Sequence, residues 1–89
     1  MSSNPNWELR VGNKVFKDLS RLPKSDQRVL SGAIRNLVVD PYGGDIQKMR
    51  GEDNSWRRRV GNYRIFYEIL VANKIISVFH VERRSSNTY

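Results

Sequence analysis

The chain changes character at a turn-forming segment near its middle, and this change limits the folds it can adopt. The segment reads Asp40-Pro41-Tyr42-Gly43-Gly44-Asp45, and all but one of its residues are common in turns. Before it, apolar residues recur at helical spacing. After it, β-branched and aromatic residues become frequent and the helical period disappears. Helices and strands are therefore segregated along the chain, which is typical of an α+β fold.

The first half is predicted to contain one strand and an antiparallel pair of helices. Residues 7–11 alternate apolar and charged side chains, as a half-buried strand does. The apolar residues of the first helix are Val15, Phe16, Leu19 and Leu22, and Pro23 ends it. We expect Ser25 to cap the second helix, whose apolar residues are Val29, Leu30, Ala33, Ile34 and Leu37.

The second half is predicted to be an antiparallel meander. We place a short strand near residues 46–50 and further strands at 55–60, 63–70 and 74–81. The turns between them are Gly51-Glu52-Asp53-Asn54, Gly61-Asn62 and Ala72-Asn73, which are too short for a parallel crossover. The fold class is α+β with the order β-α-α-β-β-β, in a single domain covering residues 1–89. The helices should cover one face of the sheet, which leaves the other face for solvent or a ligand.

The composition favours an anionic partner. The 89 residues include 16 Lys+Arg and 9 Asp+Glu, which gives a formal charge of +7. Nucleic acid is the favoured partner, while solubility or an acidic protein partner remains open. The absence of Cys excludes disulfides, thiolate metal sites and cysteine nucleophiles. No secretion signal or membrane-spanning segment is evident, so we expect a soluble, cytoplasmic protein with no membrane partner.

Arginines are concentrated on the strands at 55–60 and 63–70. Alternation directs Arg57 and Arg59 to one face and Arg58 to the other, and the turn at Gly61-Asn62 brings Arg64 alongside the first two. Converging guanidinium groups repel one another, so an anionic ligand is expected between them. The alternatives are a solvated basic face for Arg57 and Arg59, and a buried ion pair between Arg64 and Glu68 or another carboxylate.

Four other side chains have predicted structural roles. His80 is expected on the strand face of Ile76 and Val78, as a buried or edge histidine rather than a catalytic one. Trp7 and Trp56 are expected in the core. Arg58 should lie on the helix-covered face, where it must reach an edge or find a carboxylate.

Four stretches carry a family resemblance through their order and spacing. They are residues 16–23 (FKDLSRLP), 48–51 (KMRG), 56–69 (WRRRVGNYRIFYEI) and 81–89 (VERRSSNTY). Together they resemble the RelE/ParE superfamily of bacterial toxins from toxin–antitoxin pairs. In that superfamily, RelE-type members cut mRNA in the ribosomal A site and ParE-type members inhibit DNA gyrase, so the fold alone does not decide the activity.

The resemblance implies a set of site residues that favours the ribonuclease. RelE-type sites use basic residues on the third strand, an arginine opening the fourth, an arginine ending the last strand and a tyrosine in the tail. The matching residues here are Arg57 and Arg59, Arg64, Arg83 and Tyr89. A gyrase inhibitor would not need this complete set.

The expected chemistry is cleavage by the RNA's own 2′-hydroxyl, which requires no metal and no cofactor. Arg64 and Arg59 are expected to clamp the scissile phosphate, and Arg57 to share that work or bind a neighbouring phosphate. By resemblance, Arg83 acts near the leaving group and Tyr89 near the 2′-hydroxyl, as a base or as a stacking residue. Lys48 and Arg84 are expected to add RNA contacts, and a non-specific basic tail is the alternative for Arg83 and Arg84.

The resemblance also implies partners. They are the ribosome with its mRNA, a cognate antitoxin whose acidic or amphipathic C-terminal segment wraps the basic surface, and operator DNA for the toxin–antitoxin complex alone. Two alternatives remain at this point: a ParE-like inhibitor that contacts gyrase, and a toxin remnant that binds RNA without cutting it.

Overall fold

The computed structural model describes residues 7–51 and 53–84. The elements in chain order are β1 (Glu8–Val11), α1 (Asn13–Ser20), α2 (Lys24–Asn36), β2 (Ile46–Lys48), β3 (Ser55–Val60), β4 (Tyr63–Leu70) and β5 (Ile75–Arg83). A single 3-10 turn, Val71–Asn73, connects β4 to β5. The strands at 55–60 and 63–70 have their predicted bounds. The short strand β2 makes the order of the described elements β-α-α-β-β-β-β.

The five described strands form one mixed sheet in the order β1-β5-β4-β3-β2. Strands β2 to β5 pair antiparallel, which confirms the predicted meander. Strand β1 pairs parallel with β5, with Leu9 opposite Ile76. Its position was not evident from the sequence, because parallel partners can be far apart along the chain and no turn fixes their register.

Both helices pack on one face of the sheet, and the α+β prediction is confirmed. The core residues are Val15 and Leu19 of α1, Leu30, Ile34 and Leu37 of α2 and its end, Tyr63, Ile65, Tyr67 and Ile69 of β4, and Ile76, Val78 and Val81 of β5. Trp7 and Trp56 pack against this cluster, as predicted. Burial of this apolar surface is the main force that holds the two layers together.

Two details of the helices differ from expectation. The prediction that Ser25 caps α2 is wrong, because Pro23 is the capping residue and its carbonyl accepts the Gln27 N–H at 3.0 Å. The helix therefore starts two residues earlier, at Lys24, and Ser25 belongs to its first turn. Phe16 and Val29 lie outside the buried stripes and are each 59% exposed.

The turn segment before β2 is held from beneath by the sheet. Arg58 faces the helix side, as predicted, and is 9% exposed. Its guanidinium lies directly under Gly44, where an added Cβ would come within 2.5 Å of it. Beside it, the Tyr67 hydroxyl donates to the Pro41 carbonyl at 2.9 Å. These contacts fix the turn segment, at whose end Asp45 lies on the opposite face of the sheet.

The carboxylate partner predicted for Arg58 is absent from the described residues. Within residues 7–51 and 53–84, Arg58 forms no ion pair with a carboxylate. One terminal nitrogen, NH1, is buried and has no hydrogen-bond partner there. A buried, unpaired donor destabilises the folded state.

Candidate functional site

Three of the predicted arginines converge on the sheet face opposite the helices. Gly61 adopts a left-handed conformation, φ 57°, and closes the tight turn between β3 and β4. The resulting register sets Arg59 directly opposite Arg64, and Arg57 lies two residues along the same face. Together with Asp45 and Gln47, these arginines line a cleft of about 140 Å³. The predicted meeting of Arg57, Arg59 and Arg64 is confirmed.

Each arginine of this cluster has a partner on a neighbouring strand or turn. Arg57 NH2 donates to Gln47 Oε1 at 2.6 Å. Arg59 Nε donates to Asp45 Oδ2 at 2.9 Å. Arg64 NH1 donates to Glu82 Oε2 at 3.3 Å, so its carboxylate partner is Glu82 and not Glu68.

The two ion pairs are solvent-accessible, with side chains 53% and 60% exposed in Arg59–Asp45 and 34% and 39% exposed in Arg64–Glu82. Exposed ion pairs contribute roughly 0–1 kcal/mol. A phosphate that accepts two hydrogen bonds from a guanidinium can therefore compete with these carboxylates. The arrangement is suited to exchanging a carboxylate for a phosphodiester.

Asp45 and Gln47 are members of the cleft that sequence reasoning missed. The Arg59 N–H donates to the Asp45 carbonyl at 2.8 Å, which places Asp45 at the start of the edge strand beside β3. Asp45 is the one carboxylate among the described residues that line the cleft. Its position in a turn cluster was visible in the sequence, but its neighbour across the sheet was not.

Lys48 borders a second groove and not the arginine cleft. It pairs with Trp56 across β2 and β3, so its strand position is on the face opposite Arg57. A groove of about 660 Å³ runs along this edge, and its lining includes Gln47, Lys48, Met49, Arg50 and Arg57. Gln47 and Arg57 line both spaces, so the groove continues from the cleft.

Arg83 is the last residue of β5, and Arg84 directly follows it. Arg83 is directly opposite Tyr63, a core residue, so its strand position faces the helix side and is not shared with Arg64. A hydrogen bond to Asp26 at 2.7 Å, with burial and the charge of Asp26, raises the pKa of the Tyr63 hydroxyl, and the charge of Arg83 opposes this effect.

Arg84 is bound to the hairpin turn. Its N–H donates to the Asn62 carbonyl at 2.6 Å, and its NH1 donates to the Gly61 carbonyl at 3.3 Å. It directly follows the last residue of β5, so the pairing of β4 with β5 does not assign it to a face of the sheet. The predicted tail residue Tyr89 lies outside the described residues.

His80 is connected to the arginine cluster through Glu82. The prediction that it shares a face with Ile76 and Val78 is wrong, because a bulge at Phe79 sets His80 opposite Phe66. Strand β1 ends opposite Val78, so His80 is an edge residue, as the other part of the prediction states. Its Nδ1 lies 2.8 Å from Lys14 Nζ and its Nε2 lies 3.2 Å from Glu82 Oε1. The lysine contact requires an unprotonated Nδ1, which leaves Nε2–H to donate to Glu82.

No group of His, Asp and Glu within residues 7–51 and 53–84 is arranged to hold a metal ion. Neither described helix is long and apolar enough to cross a membrane.

Comparison with known proteins assigns the fold and its family. Residues 9–88 match the family model described as ParE toxin of type II toxin–antitoxin system, parDE. The putative toxin RelE1 of Methanocaldococcus jannaschii is 30% identical over 81 residues, which cover 88% of this chain and 90% of that protein.

Solved structures agree with this assignment. The archaeal RelE–RelB complex from Pyrococcus horikoshii OT3 contains a chain with the same fold, with a TM-score of 0.80 and 24% identity, covering 92% of this chain and 99% of that one. The RelB–RelE antitoxin–toxin complex from Methanococcus jannaschii matches with a TM-score of 0.69 and 26% identity, covering 83% of this chain and 88% of that one. The chain is therefore a member of the RelE/ParE superfamily of toxins from type II toxin–antitoxin systems.

Proposed function

We propose that this toxin is a ribosome-dependent endoribonuclease that cleaves mRNA in the ribosomal A site and so inhibits translation. The observation that carries the proposal is the convergence of Arg57, Arg59 and Arg64 on one cleft of the open sheet face. Such a cluster of forked donors matches a phosphodiester and the additional charge that develops on it during cleavage. The formal charge of +7 supports attraction to RNA over longer distances.

The proposed reaction uses the nucleophile that RNA supplies. The 2′-oxygen attacks the adjacent phosphorus and loses its proton to a base, while the bond from phosphorus to the 5′-oxygen breaks and that oxygen takes up a proton. The products are a 2′,3′-cyclic phosphate and a free 5′-hydroxyl, so no water and no metal-bound nucleophile enters the bond-breaking step. The protein has to position the phosphate, stabilise its charge and move two protons.

Arg59 and Arg64 are proposed to clamp the scissile phosphate, with Arg57 on the same or the next phosphate. When phosphate binds, Arg59 exchanges Asp45 for a phosphate oxygen, and Arg64 does the same with Glu82. The displaced Asp45 is then a carboxylate inside the cleft, which makes it a candidate proton acceptor besides Tyr89. An unperturbed tyrosine has a pKa of about 10, so a carboxylate is the more available base near neutral pH.

We propose that an arginine at or directly after the end of β5, Arg83 or Arg84, protonates the leaving 5′-oxygen. The resemblance assigns this role to Arg83, whose strand position faces the helix side, whereas Arg84 donates to the Gly61 carbonyl in the turn between Arg59 and Arg64. Lys48 is proposed to contact RNA in the groove beside the cleft. Substitution of Arg83 and Arg84 one at a time separates the two assignments.

The proposed partners follow from this activity and from the relatives. The ribosome presents mRNA to the open sheet face, and a cognate antitoxin blocks the same basic surface. The relatives from Pyrococcus horikoshii and Methanococcus jannaschii were each crystallised in complexes of RelE with RelB. We extend that pairing to this chain, with the cytoplasm as its location and operator DNA as a partner of the complex.

The test is primer extension on mRNA in purified translating ribosomes with an empty A site. We expect the wild-type protein to cut within the A-site codon and Arg64→Ala to lower the cut by about 100-fold, since loss of one charge-stabilising donor has that effect in other enzymes. Arg28→Ala is the matched control, because it removes the same charge from an exposed position on α2. If the wild type leaves ribosome-bound mRNA intact, the ribonuclease proposal fails.

Inhibition of DNA gyrase is a second candidate, favoured by the match to the ParE family model. A gyrase supercoiling assay with the same variants separates the two functions. Under the ribonuclease proposal, the wild type leaves supercoiling unchanged. Inhibition that Arg64→Ala retains would assign the chain to gyrase. Salt-sensitive RNA binding without any cleavage would identify a non-catalytic remnant.

A further inference from the structure

The open sheet face continues beyond the arginine cleft into a depression of different character. Its lining residues are Met49, Ser55, Glu68 and Phe79, and its volume is about 440 Å³. Met49 also lines the edge groove, which in turn shares Gln47 and Arg57 with the arginine cleft. One continuous surface therefore leads from the arginines to an apolar depression that contains a carboxylate.

Phe79 provides an exposed aromatic surface in this depression. It is the extra residue of the bulge in β5, where Phe66 pairs with His80 and Tyr67 pairs with Val78. The bulge leaves Phe79 40% exposed, with its ring centroid 6.3 Å from that of Phe66. Aromatic rings beside a basic groove are the surface on which single-stranded nucleic acids stack their bases.

Glu68 provides acceptors beside that ring. It pairs with Ser55 across β3 and β4 and is only partly exposed. Within residues 7–51 and 53–84, its carboxylate takes part in no ion pair and accepts no side-chain hydrogen bond. Unlike Asp45 and Glu82, it does not neutralise an arginine of the cluster, so it is available to a ligand.

The distance between the arginine cleft and the depression suits one nucleotide. The Ser55–Glu68 pair lies four residues along β3 from the Arg59–Arg64 pair, a distance of roughly 13 Å at strand geometry. The Arg57–Phe66 pair lies between them. A nucleotide whose phosphate is held by the arginines can extend its base along this face to the depression.

We propose that the depression formed by Met49, Ser55, Glu68 and Phe79 binds the base of the nucleotide next to the clamped phosphate and selects guanine. Guanine presents two adjacent donors, N1–H and the N2 amino group, which a carboxylate can accept together. Adenine and cytosine offer one amino group next to a ring acceptor, and the N–H of uracil lies between two carbonyls, which a carboxylate repels. The proposal deepens the proposed function, since it names the substrate preference of the same surface.

Different residues of the depression would determine the affinity for a base and the selectivity between bases. Stacking on Phe79 and contact with the polarizable Met49 thioether would be similar for all four bases. Glu68 would distinguish them by its charge and its two oxygens. The two kinds of residue are therefore expected to respond differently to substitution.

The test measures binding and needs no cleavage. The probes are four dinucleotides, ApG, ApA, ApC and ApU, whose 2′-hydroxyls are methylated, titrated into the purified protein and followed by NMR chemical shifts. We expect ApG to bind about five- to tenfold more tightly than the others, the lower range for a bidentate base contact. Glu68→Gln should remove that preference, because an amide presents one acceptor and one donor. Phe79→Ala should weaken all four by about fivefold, and Phe79→Tyr should retain them.

Phe16→Ala is the matched control, because it truncates an exposed aromatic residue on α1, on the helix side of the molecule. A native NMR spectrum of each variant shows that it is folded, and Glu68→Gln and Phe79→Tyr keep the size of the side chain. Equal binding of the four dinucleotides, no detectable binding, or a guanine preference that survives Glu68→Gln would each overturn the subsite. Guanine-selective binding by a protein that does not cut ribosomal mRNA would keep the subsite and refute the ribonuclease.

Discussion

Replacement of Arg58 by methionine is expected to stabilise the protein. Arg58 is 9% exposed beneath the turn segment, and its NH1 has no acceptor within residues 7–51 and 53–84. Methionine has a similar length, carries no charge and adapts to irregular spaces. The substitution therefore removes an unpaired donor without opening a large cavity.

The magnitude follows from the contacts that Arg58 lacks. A buried donor without a partner costs about 1–3 kcal/mol, and exchanging buried charges for apolar groups of similar size is often neutral or stabilising by about 1–4 kcal/mol. The other two guanidinium nitrogens of Arg58 are not among the buried atoms without a hydrogen-bond partner. We therefore expect the free energy of unfolding to rise by about 1–2 kcal/mol. For a domain of this size, each 1 kcal/mol raises Tm by about 4–8 °C.

Urea and thermal unfolding of the isolated toxin measure this change. The urea dependence of the unfolding free energy should be unaltered, since the folded surface is the same. Arg57→Met is the matched control on the same strand and the opposite face, and its effect should stay within about 0.5 kcal/mol. If Arg58→Met is less stable than the wild type by about 1 kcal/mol or more, Arg58 has a stabilising partner and the reasoning is refuted.

Three further predictions concern the turn segment and the cleft. Gly44→Ala should destabilise the fold by about 2 kcal/mol in urea unfolding, because φ is +81° and the new Cβ would lie 2.5 Å from the Arg58 guanidinium. The loss of stability should be smaller in the Arg58→Met background, and an equal loss there would exclude the clash. Burial raises the pKa of Tyr67 to about 12, so the folded state retains this proton longer than the unfolded state does and stability falls as pH rises from about 10 through about 12. Tyr67→Phe should remove that part of the alkaline decline in unfolding measured between these pH values, and an unchanged decline would contradict the assignment. Asp45→Asn should tighten binding of 2′-methylated RNA by up to about fivefold, because Arg59 loses its competing carboxylate. The same substitution should lower cleavage by about 100-fold if Asp45 is the proton acceptor. Weaker RNA binding would show that Asp45 does not compete with phosphate.

The strands of the arginine hairpin were predictable because their determinants are local. Alternation along residues 55–60, the Gly61-Asn62 turn and the apolar residues that follow define both strands and their register. The same local rules brought Arg57, Arg59 and Arg64 together and directed Arg58 to the helix side. A tight turn leaves little freedom in the pairing of its two strands.

The faces of β5 were not predictable in the same way. The bulge at Phe79 moves His80 to the open face, where Glu82 connects it to Arg64. A bulge arises from how a strand fits its neighbours, and the residues 76–80 contain no glycine or turn signal that marks it. Simple alternation therefore gave His80 the wrong face.

The sequence by itself determined the α+β class, the antiparallel meander, the superfamily and the arginines that share a face, because periodicity, short turns and motif order are properties of neighbouring residues. Tertiary structure alone decided the parallel pairing of β1 with β5, the entry of Asp45 into the cleft and the burial of Arg58 beneath Gly44. It also joined the cleft to the depression at Phe79. These features depend on contacts between residues far apart along the chain, whose geometry is set by the packing of the whole sheet.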